Sequence, residues 1–118
     1  MKKLLLAALL VATPVAAKDT VLIIGGQFQS TVVECGSLTD AFLLLDKVSE
    51  SADAAKSFLE AADNTCAVGP SQFTPIEQVG KDTPDHDGHV WRLIHVETLQ
   101  GTRYIMTTAE LEKPGVDI

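Results

Sequence analysis

Cys35 and Cys66 are the two cysteines of this 118-residue chain, and between them apolar residues recur at helical spacing. Ser37, with Asp40 in the following turn, supplies an N-cap and a capping-box-like acid, after which Leu38, Ala41, Phe42, Leu45 and Val48 form one stripe. The Ser49-Glu50-Ser51 break offers a second cap before Ala54, Ala55, Phe58, Leu59 and Ala62, and the pattern ends near Asp63-Asn64. The spacing predicts a helical hairpin over about 37–64, whose antiparallel helices return the chain to where it began. A Cys35–Cys66 disulfide then clamps the open ends together. Closing a loop of about thirty residues stabilises a fold by roughly 3 to 4 kcal/mol, a large share for a domain of this size. With no Cys-x-x-Cys present, the pair reads as a staple and not as a redox site.

A disulfide needs an oxidising compartment, and the first residues look like the corresponding address. Lys2 and Lys3 make a positive start, Leu4 to Val11 is a nearly unbroken apolar run, and Pro14 precedes the small-residue sequence Val15-Ala16-Ala17. This is the pattern of a secretory signal peptide over residues 1–17, cleaved after Ala17. The run is well short of the ~20 residues that span a bilayer, and no second long apolar run follows. Lys18, where a lipid-anchored bacterial export signal carries Cys, argues against a lipid tail. We therefore expect residues 18–118 to form a single exported domain, periplasmic or secreted, with no membrane attachment after cleavage.

Outside the helical pair the pattern is that of strands and turns. Asp19 to Ile24 and Gln29 to Cys35 read as extended pieces rich in β-branched residues, separated by the turn Gly25-Gly26. They are expected either to pair as a hairpin or to form two edges of a sheet completed later. After Cys66, turn signals crowd in at Gly69-Pro70, Pro75, Gly80, Pro84 and Asp87-Gly88. Over a β region of about 72–111 we expect strands at Phe73 to Val79, His89 to Glu97 and Arg103 to Thr107. Lys81 to Gly88 is expected as a polar loop, and Thr107 to Leu111 as one helical turn.

The segment from Phe73 to Leu111 resembles the small SH3-like barrels of many bacterial exported proteins. The likeness rests on the strand with Val90, Trp91, Leu93, Ile94 and Val96, the turn at Gly101, and Tyr104-Ile105, an aromatic followed by an aliphatic residue. Arg103 stands where such domains often carry Gly. The whole, a Cys-helix-helix-Cys segment followed by a small barrel, is similar to small exported bacterial proteins. What the resemblance implies is a fold: α+β, a disulfide-clamped helical hairpin plus a small antiparallel SH3-like barrel or sheet. Fold alone does not fix function.

Charge and motifs narrow the function classes. A formal net charge of −7, more negative still once Lys2 and Lys3 are removed, repels phosphate backbones and anionic membranes. Nucleic acid is therefore not an expected partner, and Gly25-Gly26-Gln27, which matches a peptide-release-factor motif, reads as a turn. No Gly-x-Ser-x-Gly elbow or phosphate-binding glycine loop occurs, and the acid pairs Glu50/Asp53 and Glu110/Glu112 fall on solvated faces. We read the chain as no enzyme and expect no cofactor.

Two candidate sites remain. Trp91 and Tyr104, with His95 at the same strand parity as Trp91 and His89, are candidates for a face that holds a protein or peptide partner. Asp82, Asp85, His86, Asp87 and His89 gather carboxylates and imidazoles in one loop, the donor types that bind a divalent ion. The expected function is a non-catalytic binding or interaction module of the cell envelope or periplasm. The alternative is divalent-metal or small-ligand binding through the 82–89 loop.

Overall fold

The computed structural model describes residues 21–114. The signal peptide expected over 1–17 lies outside the described residues. The elements are β1 (Val21–Ile23), β2 (Phe28–Cys35), α1 (Leu38–Glu50), α2 (Ala52–Glu60), β3 (Cys66–Gln78), β4 (Thr83–Pro84), β5 (Val90–Thr98), β6 (Gly101–Thr107) and β7 (Glu110–Glu112). The fold is α+β: a pair of helices on an antiparallel sheet.

The helical pair forms where the capping residues place it. Ser37 Oγ accepts from the Asp40 N–H at 3.1 Å, and Ser51 Oγ accepts from the Ala54 N–H at 3.0 Å. Ser51 also donates its own N–H to the Lys47 carbonyl at 3.1 Å, so one serine closes α1 and opens α2. The second helix stops at Glu60, short of Asp63-Asn64, because Asn64 Nδ2 donates to the Phe58 carbonyl at 2.6 Å and caps it early. Cys35 and Cys66 are joined by a disulfide and pair directly across β2 and β3, closing the hairpin at its open end as expected. Thr65 reinforces this closure. Its Oγ1 donates to Asp40 Oδ2 at 2.7 Å and accepts the N–H groups of Gly36 and Ser37 at 3.1 Å each.

In the larger sheet the strand order is β3-β2-β6-β5-β4, and a further pairing of β3 with β5 bends it into a ring. Closure is uneven because β3 is used in two halves. Cys66–Phe73 pair with β2, and Thr74–Gln78 pair with β5 across an irregularity between Pro75 and Glu77. The ladder of β2 with β6 covers only Val33–Cys35. The part of the β2–β3 ladder from Phe28/Phe73 to Val32/Gly69 therefore stands as a two-stranded arm beside an open mouth.

Two expectations need correction. Gly69-Pro70 and Pro75 do not break the chain into turns; they lie inside the 13-residue strand β3. A proline lacks only its N–H, and a stretch with one strand neighbour tolerates that loss. Thr107 to Leu111 is not a helical turn either. Glu110–Glu112 pair in parallel with Val21–Ile23, and the Ile24 N–H donates to the Glu112 carbonyl at 2.9 Å. Of the two arrangements expected for the first extended pieces, the hairpin does not form: β1 pairs with β7, and β2 with β3 and β6.

Two apolar clusters share the same strands. Ala41, Leu44, Val48, Ala55 and Leu59 of the helices pack with Val33, Trp91, Leu93 and Met106. Val32, Phe73, Ile94, Val96 and Ile105 make the second cluster with Leu22 of β1 and Ala109. Neighbouring residues fall into different clusters, Val32 and Val33, Leu93 and Ile94, Ile105 and Met106, because successive side chains of a strand point to opposite faces. One face of the sheet thus buries the helices and the other closes on itself.

Candidate functional site

The loop between β4 and β5 is organised by Asp85. Its Oδ1 accepts the N–H groups of Asp87 and His89 at 2.8 and 3.0 Å, and its Oδ2 accepts Trp91 Nε1–H at 3.0 Å. The backbone turn closes through Asp85 N–H to the His89 carbonyl at 2.9 Å, with Gly88 at φ 87, a left-handed conformation that glycine adopts without penalty. Burial works against charge on Asp85. The hydrogen bonds from Trp91, His89 and Asp87, with the His89 imidazole nearby, outweigh it and hold the carboxyl below its usual value.

Of the five loop residues singled out from sequence, the structure gathers three. Ligand atoms of Asp85, Asp87 and His89 lie within 4.8 Å of one another. Asp82 is turned away, accepting from Gln78 Nε2 at 2.7 Å and facing Arg92 Nε at 3.4 Å. His86 reaches across to the Glu50 carbonyl at the end of α1. The loop is thereby tied to the end of α1 through His86 and to β5 through the Asp85–Trp91 bond.

Trp91 does not take part in an exposed face. It is 2% exposed and belongs to the cluster beneath the helices. The expected surface of Trp91, Tyr104 and His95 is corrected accordingly: the indole is core, and its N–H is satisfied by Asp85 as a buried indole requires. Tyr104 and His95 do meet, with ring centroids 5.7 Å apart, directly opposite each other on β6 and β5. His95 sits between two carboxylates, Nδ1 at 3.5 Å from Glu77 and Nε2 at 3.3 Å from Glu97. Each of the three histidine side chains faces a carboxylate or a carbonyl.

A broad concave surface lies elsewhere, at the open mouth. A cleft of about 550 Å³ has Gln29 and Gln72 along one side and Glu97 and Leu99 along the other, over Phe28 and Phe73. The two phenylalanines stack at 6.0 Å between centroids, on the first paired positions of the β2–β3 ladder. A second hollow of about 340 Å³ shares Gln29, Gln72 and Leu99 and extends to Glu34, Pro70 and Gln100. Leu99 is 91% exposed, at the tip of the β5–β6 hairpin. That turn is held by Thr98, whose Oγ1 donates to the Gly101 carbonyl at 2.9 Å and accepts the Gln100 N–H at 3.1 Å. Gly101 at φ 103 supplies the backbone angle.

Sequence reading missed this cleft, since its walls come from three separate segments. One signal was present: Leu99 is a bulky apolar residue in a hairpin turn, where polar residues are the rule. A smaller exposed apolar group, Phe42 and Leu43 at 40% and 46%, lies on α1. Comparison with protein-family models, with curated proteins and with solved structures finds no match to this chain.

Proposed function

We propose that this chain is a non-catalytic binding module of the cell envelope or periplasm that holds a protein or peptide partner at the mouth of its bent sheet. The observation that carries this reading is Leu99, 91% exposed beside a cleft of about 550 Å³ whose remaining walls are mostly amide and aromatic side chains. An exposed leucine at the edge of a cleft offers a partner apolar area to bury alongside the cleft walls. Mixed apolar and polar lining with few charges is what binding clefts present. The signal-like start and the disulfide support an exported protein, and the resemblance to small exported bacterial proteins with an SH3-like barrel agrees with that location.

The test is a photo-crosslinking amino acid placed at position 99 in the exported chain, with position 56 on α2 as control. A discrete adduct from position 99 alone is expected. Equal labelling from both positions, or none, overturns the reading.

A second reading, divalent-cation binding at Asp85, Asp87 and His89, is favoured by their convergence within 4.8 Å. It predicts a saturable rise in Tm with a divalent ion, reversed by chelation and absent in the Asp87→Asn/His89→Ala double variant. No rise with any divalent ion removes it.

A further inference from the structure

We infer that the occupant of the mouth is an extended, cationic peptide segment; this rests on the proposed function and adds the chemical class of the partner. The first support is shape. The two hollows share Gln29, Gln72 and Leu99, so they form one groove running beside β2 from Phe28 to Glu34. At about 3.3 Å per residue that stretch is roughly 20 Å long, enough for about six residues of extended chain. A strand-like peptide of that length would lie along it.

The second support is the chemistry of the walls. Gln29 and Gln72 face each other across the ladder, and Gln100 stands at the far rim. Each carboxamide both donates and accepts, which is the complement of a peptide main chain. Phe28 and Leu99 offer apolar contact at one end.

The third support is charge. The ionisable residues lining the two hollows are Glu97 and Glu34, and neither hollow is lined by lysine or arginine. Glu34 is engaged within the fold, accepting from Ser71 Oγ at 2.7 Å and lying 4.0 Å from Arg103. Glu97 Oε2 accepts from Thr102 Oγ1 at 2.8 Å and lies 3.3 Å from His95 Nε2, and its side chain is 48% exposed. A net charge of −7 adds a long-range field that draws cations toward the surface. A peptide with a lysine or arginine opposite Glu97 and an apolar residue against Leu99 satisfies both groups.

The experiment uses the oxidised exported chain and a dye-labelled short peptide of alternating lysine and leucine, with glutamate-for-lysine and serine-for-lysine counterparts, followed by fluorescence anisotropy. The lysine peptide is expected to bind and the glutamate peptide not to. Glu97→Gln should weaken binding about three- to fivefold, the scale of one exposed ion pair, while Asp53→Asn on α2 leaves it unchanged. Leu99→Ser should weaken it further, with an unchanged Tm showing that the fold is intact. Equal binding of the three peptides, lost in Leu99→Ser, overturns the cationic class and leaves the binding reading standing. Binding of the lysine peptide that is indifferent to Glu97→Gln and Leu99→Ser also overturns it, since the contact is then general charge attraction. Absence of peptide binding, with a discrete crosslink still obtained from position 99, assigns the mouth to a folded partner and overturns this inference alone.

Discussion

At the scale of single residues, Asp85 carries the most. Its carboxylate organises the β4–β5 loop and satisfies the buried Trp91 indole. Asp85→Ala should lower stability by about 2 kcal/mol, because charge-assisted bonds are lost and a buried indole N–H is left unpaired. Urea denaturation followed by Trp91 fluorescence measures this. Asp40 has a parallel role at the N-terminus of α1, where hydrogen bonds from the Thr65 hydroxyl and then its backbone N–H lower its carboxyl below the usual 3.8. Asp85 is lowered as well, burial being outweighed by its three hydrogen bonds. A carboxyl lowered in the folded state binds protons less readily there than in the unfolded chain. Both groups therefore stabilise the fold fully above their ordinary value and lose that contribution as pH falls through their folded values. A Tm profile from pH 7 to 2 should fall below about pH 4, and more shallowly in Asp85→Asn.

Much of this residue-level detail was not readable beforehand. The sequence marks Asp82 to His89 as rich in donor groups, yet nothing in it says that His86 will reach the end of α1 or that Asp82 will face Arg92. Those choices depend on how the loop docks. Trp91 was misread for a related reason: strand parity groups it with His95, but the helices cover only part of that face, and Trp91 lies under them.

At the scale of elements, local chemistry was legible and long-range pairing was not. Ser37 and Ser51 cap the two helices as their positions suggest, since a cap is a contact within one turn. The phase of α1 was legible only in part. Phe42-Leu43-Leu44-Leu45 is apolar on every side, and the buried face proves to be Ala41, Leu44, Leu45 and Val48, with Leu38 and Phe42 at its exposed margin. The extent of β3 and the β1–β7 pairing depend on partners distant in sequence, which turn-forming residues such as Pro70 and Pro75 concealed. The disulfide joins these two levels. It closes a loop of 31 residues and holds the β2–β3 ladder at the base of the helices. Reduction should lower stability by about 3 to 4 kcal/mol, seen as a fall in Tm of well over about 10 °C. Thr65→Ala should act in the same direction and more weakly, as Asp40 and the N–H groups of Gly36 and Ser37 lose their shared partner.

At the scale of the whole molecule, two apolar clusters on opposite faces of the same strands should unfold as one cooperative unit. A change under the helices should be felt on the far face of the bent sheet, because β2, β5 and β6 serve both clusters. Leu44→Ala should destabilise the entire domain by about 3 to 5 kcal/mol, as expected for a fully buried leucine. Trp91 fluorescence and far-UV circular dichroism should still report coincident transitions. Separate transitions would mean that the helical pair and the bent sheet fold independently.

The same architecture leaves the mouth open. β2 and β3 stand there as a two-stranded arm, the β5–β6 hairpin holds Leu99 out beside them, and the helices lie on the other side of the shared sheet. Binding at this mouth is the central claim, and residue-resolved NMR of the labelled, oxidised chain titrated with the lysine–leucine peptide tests it most directly. Saturable amide shifts confined to residues 27–34, 70–74 and 97–101 are the expected result. Shifts centred on the Asp85 to His89 loop or on α1, or no saturable shifts at all, would contradict it.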